Sequence, residues 1–208
     1  MSADRKRHFT LLRSFTLADF LTMGNAASGT GAILCCLDWL VSGSPASIRA
    51  VFFLLPLALF LDFLDGRVAR WRHRQSLLGA DLDSLSDIIS FGVAPAVLGY
   101  SLGLRGSVDV AILLFFVACG ISRLARFNVT ASALSDESGK VRYFEGTPIP
   151  TSLALVLIWA IAWGHGAIGE SVWGGLLRLG PLSLHPFSLL YALSGCAMVS
   201  GTLRIPKL

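Results

Sequence analysis

Apolar residues in this chain run together instead of alternating with polar ones. Six runs approach the ~20 residues that a helix needs to cross ~30 Å of hydrocarbon. They lie at about 17–41, 48–66, 81–103, 107–127, 149–168 and 184–203. The pattern predicts an all-α integral membrane protein of about six transmembrane helices, and an even number of passes puts both termini on one side. The connections are short except 128–148 and 169–183, which leaves no room for a separate soluble domain. Residues 17–208 therefore read as one membrane domain. Gly164, Gly166, Gly169, Gly174, Gly175 and Gly180, with Pro181 and Pro186, predict an irregular outer loop over 165–186, and Trp159, Trp163 and Trp173 suit a headgroup interface.

Composition agrees with the pattern. The chain has 208 residues, of which 54% are hydrophobic and 14% charged, with a mean hydropathy of +0.68, too apolar for a domain that must cover itself in polar surface. Its charge of +4 does not point to nucleic acid, because the basic residues flank the apolar runs instead of forming a soluble face. With a cytoplasmic N-terminus, one side collects Arg5, Lys6, Arg7, Arg13, Arg67, Arg70, Arg72, Arg74, Arg123, Arg126, Lys140, Arg142, Arg204 and Lys207. The other keeps only Arg49, Arg105 and Arg178. This asymmetry is the positive-inside distribution, so orientation and helix number support each other, with both termini cytoplasmic. Residues 1–16 mix bases with Phe9, Leu11, Leu12 and Phe15, which suits an amphipathic helix on an anionic leaflet. No small-residue cleavage site follows these bases, so the first apolar run is expected to stay in the membrane. Cys35, Cys36, Cys119 and Cys196 lie in apolar runs without metal-ligand spacing and read as small buried hydrophobes.

The chemistry concentrates in one place. Five of the thirteen acidic residues fall between positions 62 and 87, where apolar runs meet a basic turn. Charge inside a transmembrane segment is costly, and several such carboxylates together signal function. Asp62 and Asp65 are three apart at the end of the second run. Asp83 and Asp87 are four apart at the start of the third, so each pair shares a helix face. Bringing four carboxylates together requires cations or protons between them, and an all-oxygen ligand set suits Mg²⁺ or Mn²⁺. Zinc is disfavoured, since only His73 in the turn accompanies the acids, and it reads as a solvated loop residue. Asp81 lies off the shared faces. Gly66 and Gly79 permit close approach of a ligand, Ala69 keeps the same face low, and Arg70 can reach a phosphate oxygen. Metal ions and an arginine around a diphosphate, with a carboxylate left to deprotonate a nucleophile, are the requirements of phosphoryl transfer.

The stretch Asp62-x2-Asp65-Gly66-x2-Ala69-Arg70-x8-Gly79-x3-Asp83-x3-Asp87 fixes eight positions across 26 residues. It resembles, without a gap, the signature of the CDP-alcohol phosphatidyltransferase family. The resemblance implies a six-helix membrane fold that is usually homodimeric. It also implies that Asp62, Asp65 and Asp83 bind a pair of Mg²⁺ or Mn²⁺ ions and the CDP diphosphate, with Asp87 as general base in contact with metal. Asp62, Gly66, Ala69, Arg70 and Gly79 are then expected to line the CDP pocket. Asn25, in a Leu21-Thr22-Met23-Gly24-Asn25 stretch resembling the first-helix motif of many members, is expected to touch the nucleotide.

Three further segments resemble the serine-using branch of that family: Ser90 to Ala96, Ser122 to Asn128, and Phe144 to Pro150. The ending Met198-Val199-Ser200 before Arg204-Ile205-Pro206 does so too. This implies transfer of the phosphatidyl group of CDP-diacylglycerol to L-serine; the expected location is a bacterial-type inner membrane, and the charge asymmetry puts the active site on the cytoplasmic face. Arg123 and Arg126, three apart at the cytoplasmic end of the fourth run, are candidates to pair with a serine carboxylate or a lipid phosphate. Asn128, in an Asn-Val-Thr spelling that the cytoplasmic side excludes from glycosylation, is an amide near the same cleft. Three alternatives remain open at this point: another acceptor such as glycerol 3-phosphate, inositol phosphate or a choline-like alcohol; an aspartate-rich prenyltransferase; and a membrane cation transporter.

Overall fold

The computed structural model describes residues 16–71, 77–134, 143–201 and 204–206. The amphipathic segment expected at 1–16 and most of the basic turn therefore lie outside the described residues.

Helix α1, Leu17–Ser42, begins with a capping box. The Thr16 N–H donates to Asp19 Oδ2 at 2.6 Å and the Asp19 N–H to Thr16 Oγ1 at 3.4 Å, so orphan amides of the first turn are satisfied at the start of an apolar run. It ends at Gly43, whose φ of +65° lets its N–H return to the Trp39 carbonyl. Helix α2, Pro45–Trp71, follows at once, with proline at its first position where a missing N–H costs nothing. The third pass is composite. Helix α3, Leu77–Asp87, runs into a π-helical segment, Ile88–Val93, and then into α4, Ala94–Leu102. It is the central pass: 67% of its apolar stretch is buried within the protein, against 28–33% for the other long ones.

Helix α5, Ser107–Leu134, runs the other way. A 3₁₀ turn, Ile149–Ser152, leads into α6, Leu153–Gly164, and another, Pro186–Ser188, leads into α7, Leu189–Val199. The strands are short. Strand β1, Tyr143–Glu145, pairs antiparallel with the C-terminal β4, Arg204–Pro206. The hairpin of β2, Leu177–Leu179, and β3, Leu182–Leu184, turns on Gly180 at φ +63° inside the expected outer loop.

Among the described residues, apolar helices stand in all six of the runs that predict them, but they are unequal. Four are long and apolar enough to cross a membrane, and Ile149–Gly164 and Pro186–Val199 are shorter. The sixteenth residue of the fifth pass, Gly164, is its last because Gly166 takes φ +69° and the Ala167 N–H turns back to the Ala162 carbonyl at 2.8 Å. The fourth pass is longer than expected, since α5 continues through residues 128–134 of the anticipated loop.

The short passes are secured by buried polar contacts. The Tyr191 hydroxyl donates to the Pro95 carbonyl at 2.7 Å and receives the Trp159 indole N–H at 2.9 Å, joining α7, α4 and α6. Phe116 and Phe187 pack against this pair. At the same end Asp109, wholly buried near the start of α5, accepts from the Gly106 N–H at 2.9 Å and the His185 N–H at 2.8 Å, and meets His185 Nδ1 at 2.6 Å. Large side chains such as Leu34, Phe53, Leu114, Leu157 and Leu193 are exposed around the outside, as a lipid-facing surface requires.

Candidate active site

The opposite end of the bundle gathers the start of α1, the end of α2, the start of α3 and the end of α5. The two aspartate pairs arrive from α2 and α3, and the helical period turns each pair toward the other. One carboxylate oxygen each of Asp62, Asp83 and Asp87 lies within 4.8 Å of the others. Like charges this close repel, so the arrangement calls for a cation or a proton between them. Asp65 stands beside the triad, 5% exposed, with its Oδ2 accepting from the Thr22 hydroxyl at 2.7 Å. Asp87, 8% exposed, accepts at Oδ1 from the Asn25 side-chain amide at 3.3 Å.

The donor set fits a hard divalent cation. Every group in the triad offers carboxylate oxygen, and Asp83 Oδ1 is buried without a hydrogen-bond partner. Water is poorly replaced here by protein donors, so a cation is the natural counterpart for that orphan oxygen. One further orphan lies close by: Asn25 Oδ1 is also buried and unpartnered, its amide nitrogen being spent on Asp87.

Glycine leaves room beside the acids. A Cβ on Gly66 would meet nothing within 4 Å, so the absence of a side chain there opens space adjoining Asp65 instead of serving the protein's own packing. Gly79 is half-buried in the first turn of α3. Ala69 and Arg70 occupy the last turns of α2, on the backbone path the signature needs, and their side chains lie outside the described residues.

The basic residues of α5 divide. Arg123 is half-buried, lies within electrostatic reach of Asp87, and keeps a buried Nε without a hydrogen-bond partner. Arg126, one turn on, is exposed, so the two do not share one environment. The Asn128 amide donates to Ser84 Oγ at 3.0 Å, which ties the end of α5 to the residue after Asp83.

Four hydroxyl residues at this end carry contacts: Ser84 and Ser86, which no motif drew attention to, and Thr22 and Ser90, which lie in quoted motif stretches without an assigned role. Ser86 donates to the Thr22 carbonyl and Ser90 to the Asn25 carbonyl, both at 3.0 Å. Ser90 belongs to the π-helical segment directly after Asp87, a geometry that recurs at functional sites. The available signal was spacing, since Thr22, Asn25 and Gly29 share one face of α1 and Ser86 and Ser90 one face of the central pass.

Comparison with known proteins adds independent observations. The family model for CDP-alcohol phosphatidyltransferase matches residues 15–185. The CDP-diacylglycerol–serine O-phosphatidyltransferase of Saccharomyces cerevisiae is 46% identical over 205 residues, covering 97% of this chain and 74% of the yeast protein. The archaetidylserine synthase of Methanothermobacter thermautotrophicus is 40% identical over 143 residues, covering 67% of this chain and 55% of its own length. The CDP-diacylglycerol–serine O-phosphatidyltransferase of Bacillus subtilis is 36% identical over 141 residues, covering 66% of this chain and 72% of its own.

Proposed function

Because this chain belongs to the CDP-alcohol phosphatidyltransferase family, we propose that it transfers the phosphatidyl group of CDP-diacylglycerol to the hydroxyl of L-serine, giving phosphatidylserine and CMP. The observation that carries the acceptor is the 46% identity with the yeast serine enzyme over 97% of the chain. The signature serves the CDP half of the donor, which all members share, so acceptor choice must reside outside it. Similarity that runs through the whole chain includes those outside regions.

In this reading the acyl chains stay in lipid and the diphosphate sits at the end of the bundle that holds the carboxylates. Gly66 leaves the space for it, and Gly79, Ala69, Arg70 and Asn25 line the CDP side. Asp62, Asp65, Asp83 and Asp87 hold Mg²⁺ or Mn²⁺, which when bound neutralises the diphosphate and eases departure of CMP. Asp87 takes the proton from the serine hydroxyl as that oxygen attacks the lipid-proximal phosphorus and the bond to the CMP phosphate oxygen breaks. Burial of Asp87 and its hydrogen bond from Asn25 support the base role, because a fixed carboxylate meets a substrate hydroxyl in one orientation. Arg123 is the better placed of the two arginines to meet the serine carboxylate or the lipid phosphate, since its unpartnered Nε is already turned inward.

The protein is an integral membrane enzyme, and the basic residues gathered at the carboxylate end support a site open to the cytoplasm, with both termini on that side. The exposed apolar helix faces accommodate lipid and the contact of a homodimer.

Purified protein in detergent, given CDP-diacylglycerol and Mn²⁺ or Mg²⁺, is expected to release CMP only when L-serine is added, and to stop when the metal is chelated. Release that depends on glycerol 3-phosphate or another alcohol would retain the family chemistry and replace the acceptor.

A further inference from the structure

Helix α1 contributes no carboxylate to the cluster, yet it is the element that touches both helices that do. Thr22 Oγ1 lies 2.7 Å from Asp65 Oδ2 of α2, and the Thr22 carbonyl accepts from Ser86 of α3, the residue before Asp87. Three residues on, Asn25 repeats the arrangement, with its amide on Asp87 and its carbonyl accepting from Ser90. Gly29 completes the stripe, because a Cβ there would stand 2.7 Å from the Ser90 Cα. Thr22 is 4% exposed, so no water competes for its hydroxyl. That hydroxyl has one proton and two acceptors in range, the Ala18 carbonyl at 3.1 Å and the Asp65 carboxylate at 2.7 Å. The shorter contact is to the charged oxygen, where a hydrogen bond is stronger.

We infer that Thr22 is a positioning residue for the reaction: from α1 it fixes the Asp65 carboxylate and the height of α3 beside it, and so sets the spacing at which the four aspartates receive a divalent cation. The inference rests on the metal-dependent function proposed above. Without the Thr22 donor, Asp65 is free to rotate within a cluster of like charges and away from the cation.

Mn²⁺ binding to the purified full chain, read from loss of the free-ion electron paramagnetic resonance signal, tests this with no turnover involved. Thr22→Val keeps the shape and loses the donor, and is expected to weaken Mn²⁺ binding about tenfold, the scale of a hydrogen bond to a charged group. Thr22→Ser keeps the donor and is expected to restore binding to within about threefold of wild type. If the valine variant is not recovered folded, Thr22→Ala carries the same expectation with no added bulk. Wild-type affinity in the donor-less variant overturns the inference, and so does a serine variant as weak as the valine one. Wild-type protein that binds no Mn²⁺ strikes the proposed function itself, and the inference with it.

Discussion

At the scale of single residues, the acids of the site do not share one environment. Asp62, Asp83 and Asp87 converge, whereas Asp65 is held by Thr22 at their side. This division predicts different kinetic phenotypes. Asp87→Asn keeps the size and the acceptor oxygen but cannot take a proton, so CMP release should fall by about 10²-fold or more while CDP-diacylglycerol binding is retained. Asp62→Asn should weaken both, because that carboxylate serves the cation and diphosphate. Equal loss of donor binding in the two variants would refute a separate role for Asp87. The acids themselves were legible in the sequence, since a carboxylate in an apolar run has few explanations other than function. Thr22, Ser86 and Ser90 were not. A hydroxyl in a membrane helix is satisfied by its own i−4 carbonyl, as Ser28 is by Gly24 at 2.9 Å and Ser101 by Val97 at 2.7 Å. Which hydroxyls instead reach another helix depends on the neighbour's distance, and no single helix encodes that.

At the scale of elements, the site depends on how closely α1 approaches the central pass. Gly29 is the position that permits it, and Gly29→Ala would force a methyl against the backbone of Ser90. The expected cost is about 1–3 kcal/mol, the range for overpacking, read as a lower unfolding temperature in detergent. Because the strain falls next to Asn25 and Ser90, activity should drop further than stability accounts for; an alanine variant of wild-type stability and turnover would show that the backbones part easily. Apolar run lengths located all six passes, but they overstated the last two. Hydropathy sums side chains and is blind to dihedrals, so it carried the fifth run to residue 168, whereas Gly164 and Gly166 marked the break where Gly166 turns at positive φ. The π-helical segment at Ile88–Val93, which meets α1 through the Ser90 hydroxyl on the Asn25 carbonyl, has no signature in apolar run length either.

At the scale of the whole molecule, the bundle carries polar structure at both ends, and the two ends have different tasks. One end holds the carboxylates. The other holds the buried Asp109–His185 pair, which joins the start of α5 to the entry of α7 across 76 residues of sequence. Asp109→Ala removes three hydrogen bonds from buried groups and should cost ~3–5 kcal/mol, measured by thermal unfolding, while the specific activity of the folded fraction stays near wild type. Activity lost at unchanged stability would instead tie the outer end to the reaction. The sequence by itself determined the solvent, the all-helical architecture, the family and the acids, because burying charge in a bilayer is so costly that each such residue announces a purpose. Tertiary structure alone decided that three acids converge while the fourth is tethered, that Arg123 is half-buried while Arg126 is exposed, and that a helix contributing no carboxylate to the cluster holds the site together. Those outcomes follow from distances between helices, which are set by packing of many side chains at once and have no signature at any one position.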